Sequence, residues 1–427
     1  MNKFESIIQG KKVLVFGVGR QGGGQGDALW LTKHGAIVRL SDRDTSIVAE
    51  GQTQDQIDWA DIIIKNPGVP DTHDLIIYAQ SKHIPVYTSI ALFVKYTSLQ
   101  TIAVTGTRGK STTVALIKAL LDLAYPGQVI QGGNIAGTSG LALFDAQEGK
   151  KYAVLELSSF QLHNFHDLRV SPSVAVLTNL YPDHLNRYTS MAEYRIDKEA
   201  IAQYQTPSDF IIYNSDNPDT LAMAQISPAK PIPFSLSQVK GWHCKLQGEH
   251  NLANIAAMSA VAQALNINRE FAVEVAETYA GLEFRLQTIA QIHGVTYIND
   301  TTSTTPTAAQ FALRALTGPT IWIVGGDSKN LPYLDLIQEV AHNSYLKHII
   351  ILGSQNIPDF LSALHNVAGP KIIGQVESMR SAVALAQQYA TAGDFILLSP
   401  GFASFDLFKN EFDRGRQFNQ IVLKQQH

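Results

Sequence analysis

Cysteine is almost missing from this chain: Cys244 is the only one in 427 residues. A single thiol excludes an intrachain disulfide and a thiolate metal cluster, and it fits a reducing compartment. Long apolar runs are missing as well. No stretch approaches the roughly 20 residues needed to cross a bilayer, and the opening MNKFESIIQGKKVLVFG has no apolar segment ahead of a cleavage site. There is no surplus of positive charge, since 33 Lys and Arg face 37 Asp and Glu for a formal net charge of -4. Such a chain offers no basic field to a nucleic acid. Low-complexity tracts and short repeats are absent too. The expectation is a cytoplasmic protein, a monomer with small-molecule partners, binding no nucleic acid and inserting in no membrane.

What is present is an ordinary globular balance, 45% apolar and 16% charged. The length exceeds what one hydrophobic core serves, and about three domains are expected. In residues 12–97 short β-branched runs (KVLVFG, AIVRLSD, ADIIIKNPG, IPVYTS) alternate with helical stretches such as QGDALWLTKHG, as in a parallel sheet covered by helices. A second α/β unit begins at TIAVTG, with strands at YAVLELSS, SVAVLTNL and DFIIYNSD and helices after residue 110 and over 191–203. A third begins near GVTYIND and adds TIWIVGGD, HIIILGS and DFILLSPG, with amphipathic helices between. The fold class is therefore α/β, with units at 1–97, 98–282 and 283–427. Ligands of open α/β sheets bind beyond the carboxyl ends of strands, where these runs end in Gly, Ser or Asp.

VLVFGVGRQGGGQGDALWL carries Gly17, Gly19 and Gly22 as G-x-G-x-x-G between a strand and a helix, and Asp42 ends the next strand. Such glycines let a backbone approach a pyrophosphate at a helix N-terminus, while the acidic residue accepts a ribose hydroxyl. NAD and another nucleoside diphosphate both remain open, and an NAD-dependent oxidoreductase stays an alternative. No later segment offers a hydride site, however, and KNPGVP at 65–70 brings a second glycine turn, with Gly68, to the same sheet end.

TIAVTGTRGKSTTVALIKAL runs from an apolar strand through Gly106, Thr107, Arg108 and Gly109 into Lys110, Ser111 and Thr112 and then a helix. Amides of such a loop converge on an anion, Lys110 adds a point charge, and Ser111 or Thr112 reaches a magnesium ion. Phosphoryl transfer also needs a carboxylate opposite the loop, and Glu156 ends the strand YAVLELSSFQL. The next strand ends in LTNLYPDHLNRY, where His184 follows Asp183 in a polar turn and reads as a functional histidine.

In order along the chain stand TGTRGKSTT, GGNIAG, LELSSFQL, TNLYPDHLNRY, YRIDKEAI, GEHNLANIAA, GLEFR, IND and LSPGFASFDLFKN. With these motifs the sequence closely resembles the Mur ligases over almost its whole length, and among them the glutamate-adding MurD type. The resemblance implies a ligase of peptidoglycan precursor synthesis that uses ATP to phosphorylate the carboxylate of UDP-MurNAc-L-alanine, after which the amine of glutamate attacks the acyl phosphate. It implies ATP and two magnesium ions, with Lys110 and the loop amides on the phosphates and Ser111 and Glu156 on the first ion. Lys198 in YRIDKEA stands where the family carries a lysine carbamylated by carbon dioxide, placed to hold a second ion with His184. Asn251 and Asn254 resemble the adenine-side asparagines, and Arg285 and Asp300 the third domain's contribution to ATP. Gly17, Arg20, Gln21, Asp42 and Gly68 would cradle UDP, and Asn134 and His184 would lie toward the muramoyl-alanine end.

The chain departs from the family's pattern in the amino-acid pocket. Residues 299–305 read NDTTSTT, so Thr302 stands where N-D-S-K-A-T-N has its lysine, with Thr304 two positions on. Lys329 keeps the family's other carboxylate-binding lysine, and Ser404 and Phe405 match residues near its far end. FKNEF sets Phe412 one position later than F-K-N-F-E does, a turn of about 100° on a helix. D-glutamate is the expected amino acid, with L-glutamate as the alternative.

Overall fold

The computed structural model describes residues 3–19, 22–135, 137–183, 188–246, 248–328, 331–353, 356–404 and 407–424. It divides into two compact units, Met1–Tyr279 and Ala280–His427.

The first unit holds two parallel sheets. One comprises β1 (Lys12–Phe16), β2 (Ile37–Ser41), β3 (Ile62–Lys65) and β4 (Val86–Tyr87) in the order β2-β1-β3-β4. Phe16 lies beside Lys65 in the register of β1 and β3, so the Gly17 turn and the 66–70 turn leave the same sheet edge. They pack so tightly that a Cβ on Gly17 would come within 2.8 Å of Val69 Cγ2, at a φ of 79° that favours glycine.

The second sheet comprises β5 (Gln100–Thr105), β6 (Val129–Gly133), β7 (Tyr152–Glu156), β8 (Val174–Leu177), β9 (Phe210–Asn214) and β10 (Lys230–Phe234), in the order β10-β9-β8-β5-β7-β6. The strand before the phosphate loop is thus central, with Val104 beside Glu156 on one side and Thr105 beside Leu177 on the other. Adjacent parallel strands ending at one level bring their following turns together, as the motif chemistry needs. Helix Lys110–Ala124 follows the loop and buries Val114, Ile117, Leu120 and Leu121 at helical spacing.

One apolar cluster runs unbroken through this unit, from Phe4, Val15 and Phe93 to Ala103, Leu155 and Leu177. Phe93 and Phe144 meet edge to face within it at 5.2 Å. The two sheets therefore share a core, each keeping a separate cluster on its other face.

The second unit is a six-stranded sheet of β11 (Gln287–Ile292), β12 (Val295–Asn299), β13 (Thr320–Gly325), β14 (Leu346–Leu352), β15 (Ile372–Val376) and β16 (Phe395–Gly401), in the order β11-β12-β16-β13-β14-β15. Among the paired strands, only β11 with β12 is antiparallel. The parallel α/β class expected from the alternation is what forms. Four strands that the sequence pattern does not announce, β6, β10, β11 and β15, are all edge strands. An edge strand buries less apolar surface, and β10 even tolerates Pro231 and Pro233 because one side of it has no ladder to complete.

Candidate active site

The phosphate loop is held by the strand beside it. Gly106 has a φ of 151°, and a Cβ there would stand 1.9 Å from Thr178 Oγ1. The Arg108 N–H donates to Asn179 Oδ1 at 2.8 Å, and Thr178 Oγ1 donates to the Arg108 carbonyl at 2.7 Å. Thr107 Oγ1 donates to the Tyr181 carbonyl and accepts from the Tyr181 N–H. Gly109, at a φ of 83°, caps the helix that starts at Lys110, and a Cβ there would meet Asn254 Oδ1 at 2.4 Å. Asn254 also accepts from Thr113 at 3.1 Å and donates to Asn251 Oδ1 at 3.5 Å, so this asparagine pair braces the phosphate helix. Lys110 Nζ folds back onto the carbonyls of Gly106 and Thr107 at 2.9 and 3.2 Å. Ser111 and Thr112 occupy the first turn, half-buried.

Two lysines serve this loop. Lys198, on helix Met191–Gln203, is 2% exposed, with Nζ 3.3 Å from Thr105 Oγ1 and 3.2 Å from the Gly106 carbonyl. The Tyr194 ring lies 4.8 Å from that Nζ. Burial, and then the charge of Lys110, hold the Lys198 ammonium well below the usual lysine range, against the pull of Asp183 and Asp197. Such a shift favours the neutral amine, which is the form that reacts with carbon dioxide.

Glu156 is buried at the end of β7. Its Oε1 accepts from Asn134 Nδ2 at 3.1 Å, and its carbonyl accepts the Asn134 N–H at 2.8 Å. Asn134 in turn lines a cavity of about 580 Å³ inside the first unit. Gly17, Gly19, Gly68, Asn134, Ser158 and Gln161 all line it. Asp42 braces the glycine turn, its two oxygens taken by the N–H groups of Gly19 and Asp44 at 2.8 and 2.9 Å. Each oxygen keeps a second lone pair that can accept a ribose hydroxyl.

The oxygens of Glu156 and Ser111 suit a hard cation such as magnesium, which takes few protein ligands and fills its shell with substrate phosphate and water. Among the described residues no trio of His, Cys, Asp and Glu side chains forms a ready-made ion cage.

In the second unit, Asp300 follows β12 and is buried. Its oxygens accept from the Leu286 N–H at 3.0 Å, from Ser399 Oγ at 2.7 Å and from Ser303 Oγ. Burial pushes its carboxyl up to about 6, with those hydrogen bonds and the charge of Arg285 opposing. Thr302 spends its hydroxyl on the Phe284 carbonyl at 2.8 Å, and the Thr304 N–H reaches back to the Thr302 carbonyl at 2.9 Å. Ser404 is 1% exposed, and its Oγ has no hydrogen-bond partner among the described residues. Phe412, in the first turn of helix Glu411–Leu423, stands 6.1 Å from the Phe284 ring. Arg414 on the same helix is 1% exposed and donates to Thr301 Oγ1, the Thr301 carbonyl and the Phe402 carbonyl at 3.0 to 3.2 Å.

Thus Gly106 to Thr112, Asn251, Asn254 and Lys198 gather around one loop, while Gly17, Gly68 and Asn134 line one cavity. Arg20, Gln21, His184, Lys329 and Phe405 lie outside the described residues. Sequence reasoning passed over Thr178, Tyr194 and Arg414, and Asn179 received no role. TN directly after an apolar strand and an arginine one turn into the last helix were the available signals.

The model of the Mur ligase middle domain matches residues 104–245, and that of the Mur ligase glutamate ligase domain matches residues 284–402. A UDP-N-acetylmuramoylalanine--D-glutamate ligase of Roseiflexus sp. (strain RS-1) is 32% identical, covering 97% of this chain and 99% of its own. One from Christiangramia forsetii is 34% identical with the same coverages. Among solved structures, UDP-N-acetylmuramate-alanine ligase MurC from Thermotoga maritima has a TM-score of 0.60 at 16% identity, covering 97% of this chain and 100% of its own. The MurF ligase of Thermotoga maritima in complex with ADP has a TM-score of 0.60 at 17% identity, covering 99% and 97%. At such identities these structures speak for the fold alone. Neither the oxidoreductase alternative nor the L-glutamate alternative gains support from these relatives.

Proposed function

The chain belongs to the Mur ligase family, and on that premise we propose that it joins D-glutamate to UDP-N-acetylmuramoyl-L-alanine, converting ATP to ADP and phosphate. The observation that carries this reading is one cavity lined both by the Gly17 and Gly68 turns and by Asn134, whose side chain is bonded to Glu156 beside the phosphate strand. A nucleoside diphosphate held by the glycine turns would extend its sugar and alanine carboxylate toward Asn134. The names of the full-length relatives favour D-glutamate as the amine.

In this reading the loop amides and Lys110 Nζ bind the ATP phosphates. A carboxylate oxygen of the acceptor attacks the γ-phosphorus and ADP departs. The amine nitrogen of glutamate then attacks the acyl carbon, phosphate leaves, and the amine's proton is released as the amide forms. Asn134 holds the Glu156 carboxylate through its side-chain amide. Magnesium, when bound, would neutralise the phosphate charge; Ser111 and Glu156 would hold one ion, and His184 and a carbamate on Lys198 a second. The carbamate forms when the neutral Lys198 nitrogen attacks carbon dioxide and gives up a proton. The acyl phosphate is lost if water reaches it, and the buried surroundings of Lys198 and Glu156 limit that access.

The test offers the purified protein ATP, magnesium and UDP-MurNAc-L-alanine, with D-glutamate and L-glutamate in separate reactions. ADP release that requires both the acceptor and D-glutamate supports the proposal. A higher kcat/KM for L-glutamate would sink the stereochemical part, and release without any amino acid the ligase itself.

A further inference from the structure

A line of charged groups in the first unit lies outside everything assigned above. Lys65, the last residue of β3, is buried, with Nζ 2.6 Å from Asp71 Oδ1 and 3.0 Å from the Val69 carbonyl. The other oxygen of Asp71 lies 2.5 Å from His163 Nε2, and His163 Nδ1 lies 2.8 Å from Asp197 Oδ1. Asp197 Oδ2 accepts from Tyr188 at 2.8 Å. An imidazole with a carboxylate on each nitrogen donates from both, so His163 is a cation fixed between two anions.

Each end of this line touches a different part of the machinery. Asp71 closes the 66–71 turn, whose Asn66 and Gly68 line the cavity. Asp197 immediately precedes Lys198, and neighbours on a helix point about 100° apart. Asp197 therefore faces helix Ser159–Leu168 while Lys198 faces the Gly106 carbonyl. His163 belongs to that facing helix, which the cavity-lining residues Ser158, Phe160 and Gln161 begin.

We propose that His163 is a positioning residue that couples occupancy of the cavity to the placement of Lys198 at the phosphate loop, acting through Asp71 on one side and Asp197 on the other. A ligand that settles the 66–71 turn fixes Asp71, which fixes the imidazolium, which holds Asp197 and with it the helix turn carrying Lys198. An ordinary exposed ion pair would carry little energy. Here the ring is clamped at both nitrogens, and its partners are anchored separately by Lys65 and Tyr188. For that reason the fold does not depend on the ring: without it Asp71 keeps Lys65 and Asp197 keeps Tyr188, and what is lost is the connection.

The inference rests on the cavity being the acceptor site, and the experiment separates the two. Calorimetry measures the affinity of magnesium-ADP with and without saturating UDP-MurNAc-L-alanine, for the wild type and for His163→Gln, His163→Arg and Asp71→Asn. In the wild type, acceptor should raise nucleotide affinity by about tenfold. In His163→Gln and Asp71→Asn that ratio should fall to about one, with each ligand's separate affinity changed by no more than about twofold. His163→Arg, which can also span two carboxylates, should restore part of the ratio. If His163→Gln does not fold, Asp71→Asn decides, since Asp71 lies on neither helix Ser159–Leu168 nor helix Met191–Gln203. A wild type that binds no acceptor overturns the proposed function. Acceptor binding without coupling, or coupling unchanged in the variants, overturns this inference alone.

Discussion

Lys110 and Lys198 converge on one acceptor, the carbonyl oxygen of Gly106, at 2.9 and 3.2 Å. Two ammonium groups on one oxygen repel, and burial makes the Lys198 charge the harder one to keep. A triphosphate entering the loop offers Lys110 a stronger partner than a carbonyl. Lys110→Ala should lower the rate of ADP formation by about 10²- to 10³-fold, read by a coupled assay, with the thermal midpoint little changed. Lys198→Arg should be as inactive as Lys198→Ala, because a guanidinium stays charged and forms no carbamate at this position. Wild-type protein in isotopically labelled bicarbonate should show a carbamate carbon signal that both variants lack; an active Lys198→Arg enzyme would rule the carbamate out.

Replacing Gly106 by alanine tests how firmly the loop is walled in. The new Cβ would stand 1.9 Å from Thr178 Oγ1, on a backbone that already has a φ of 151°. The expected cost is about 1–3 kcal/mol of stability, measured by urea denaturation, together with loss of nucleotide binding. Gly127→Ala, where nothing lies within 4 Å of the added carbon, shares the positive φ and so isolates the packing part of the effect.

Asp27, on helix Gly23–Lys33, makes a pH-dependent contribution. Burial pushes its carboxyl up to about 6 from 3.8, against hydrogen bonds from Ser139 and the Leu141 N–H. Because the folded value is raised, the stabilisation is fully present below 3.8 and is lost as pH climbs through 6. Asp27→Asn has no proton to lose. The wild-type thermal midpoint minus that of Asp27→Asn should therefore fall between about pH 4 and 6 and level off above. A difference that does not vary with pH would contradict the assignment.

Arg414 ties the turn after β12 to the turn after β16 through Thr301 and Phe402. Arg414→Lys retains a cation but cannot span those acceptors, leaving buried carbonyls unpaired at about 1–3 kcal/mol. We expect a lower urea midpoint and a KM for glutamate raised about tenfold, with the affinity of the first unit for UDP-MurNAc-L-alanine unaltered. A raised KM for the acceptor would place Arg414 in another role.

The central strands and both glycine loops were legible because a doubly covered strand must be apolar throughout and a phosphate loop must have its glycines, as in KVLVFG and TIAVTGTRGK. Edge strands such as KPIPF escaped because half-buried β structure needs neither property. At the site, Lys198 was found only through the resemblance, since YRIDKEA alone reads as a solvent-facing helix, whereas its lysine is 2% exposed. Asp42 also braces the glycine turn through the N–H groups of Gly19 and Asp44, a contact that motif spacing does not record. The line from Lys65 to Tyr188 was invisible because it draws on separate segments at 65–71, 163 and 188–197, and the motifs that hold Lys65, Asp197 and Tyr188 give those three residues no role.

The apolar cluster that runs from Phe4 to Leu177 across both sheets of the first unit bears on how this chain can be cut and recombined. A fragment ending near residue 97 would present Phe93 and its neighbours to water with no opposing face. The segment before residue 97 is thus poorly suited to grafting onto another ligase as a cassette. A chimera would do better to exchange residues 1–279 entire, keeping the junction at Tyr279 and Ala280 where the compact units meet in sequence.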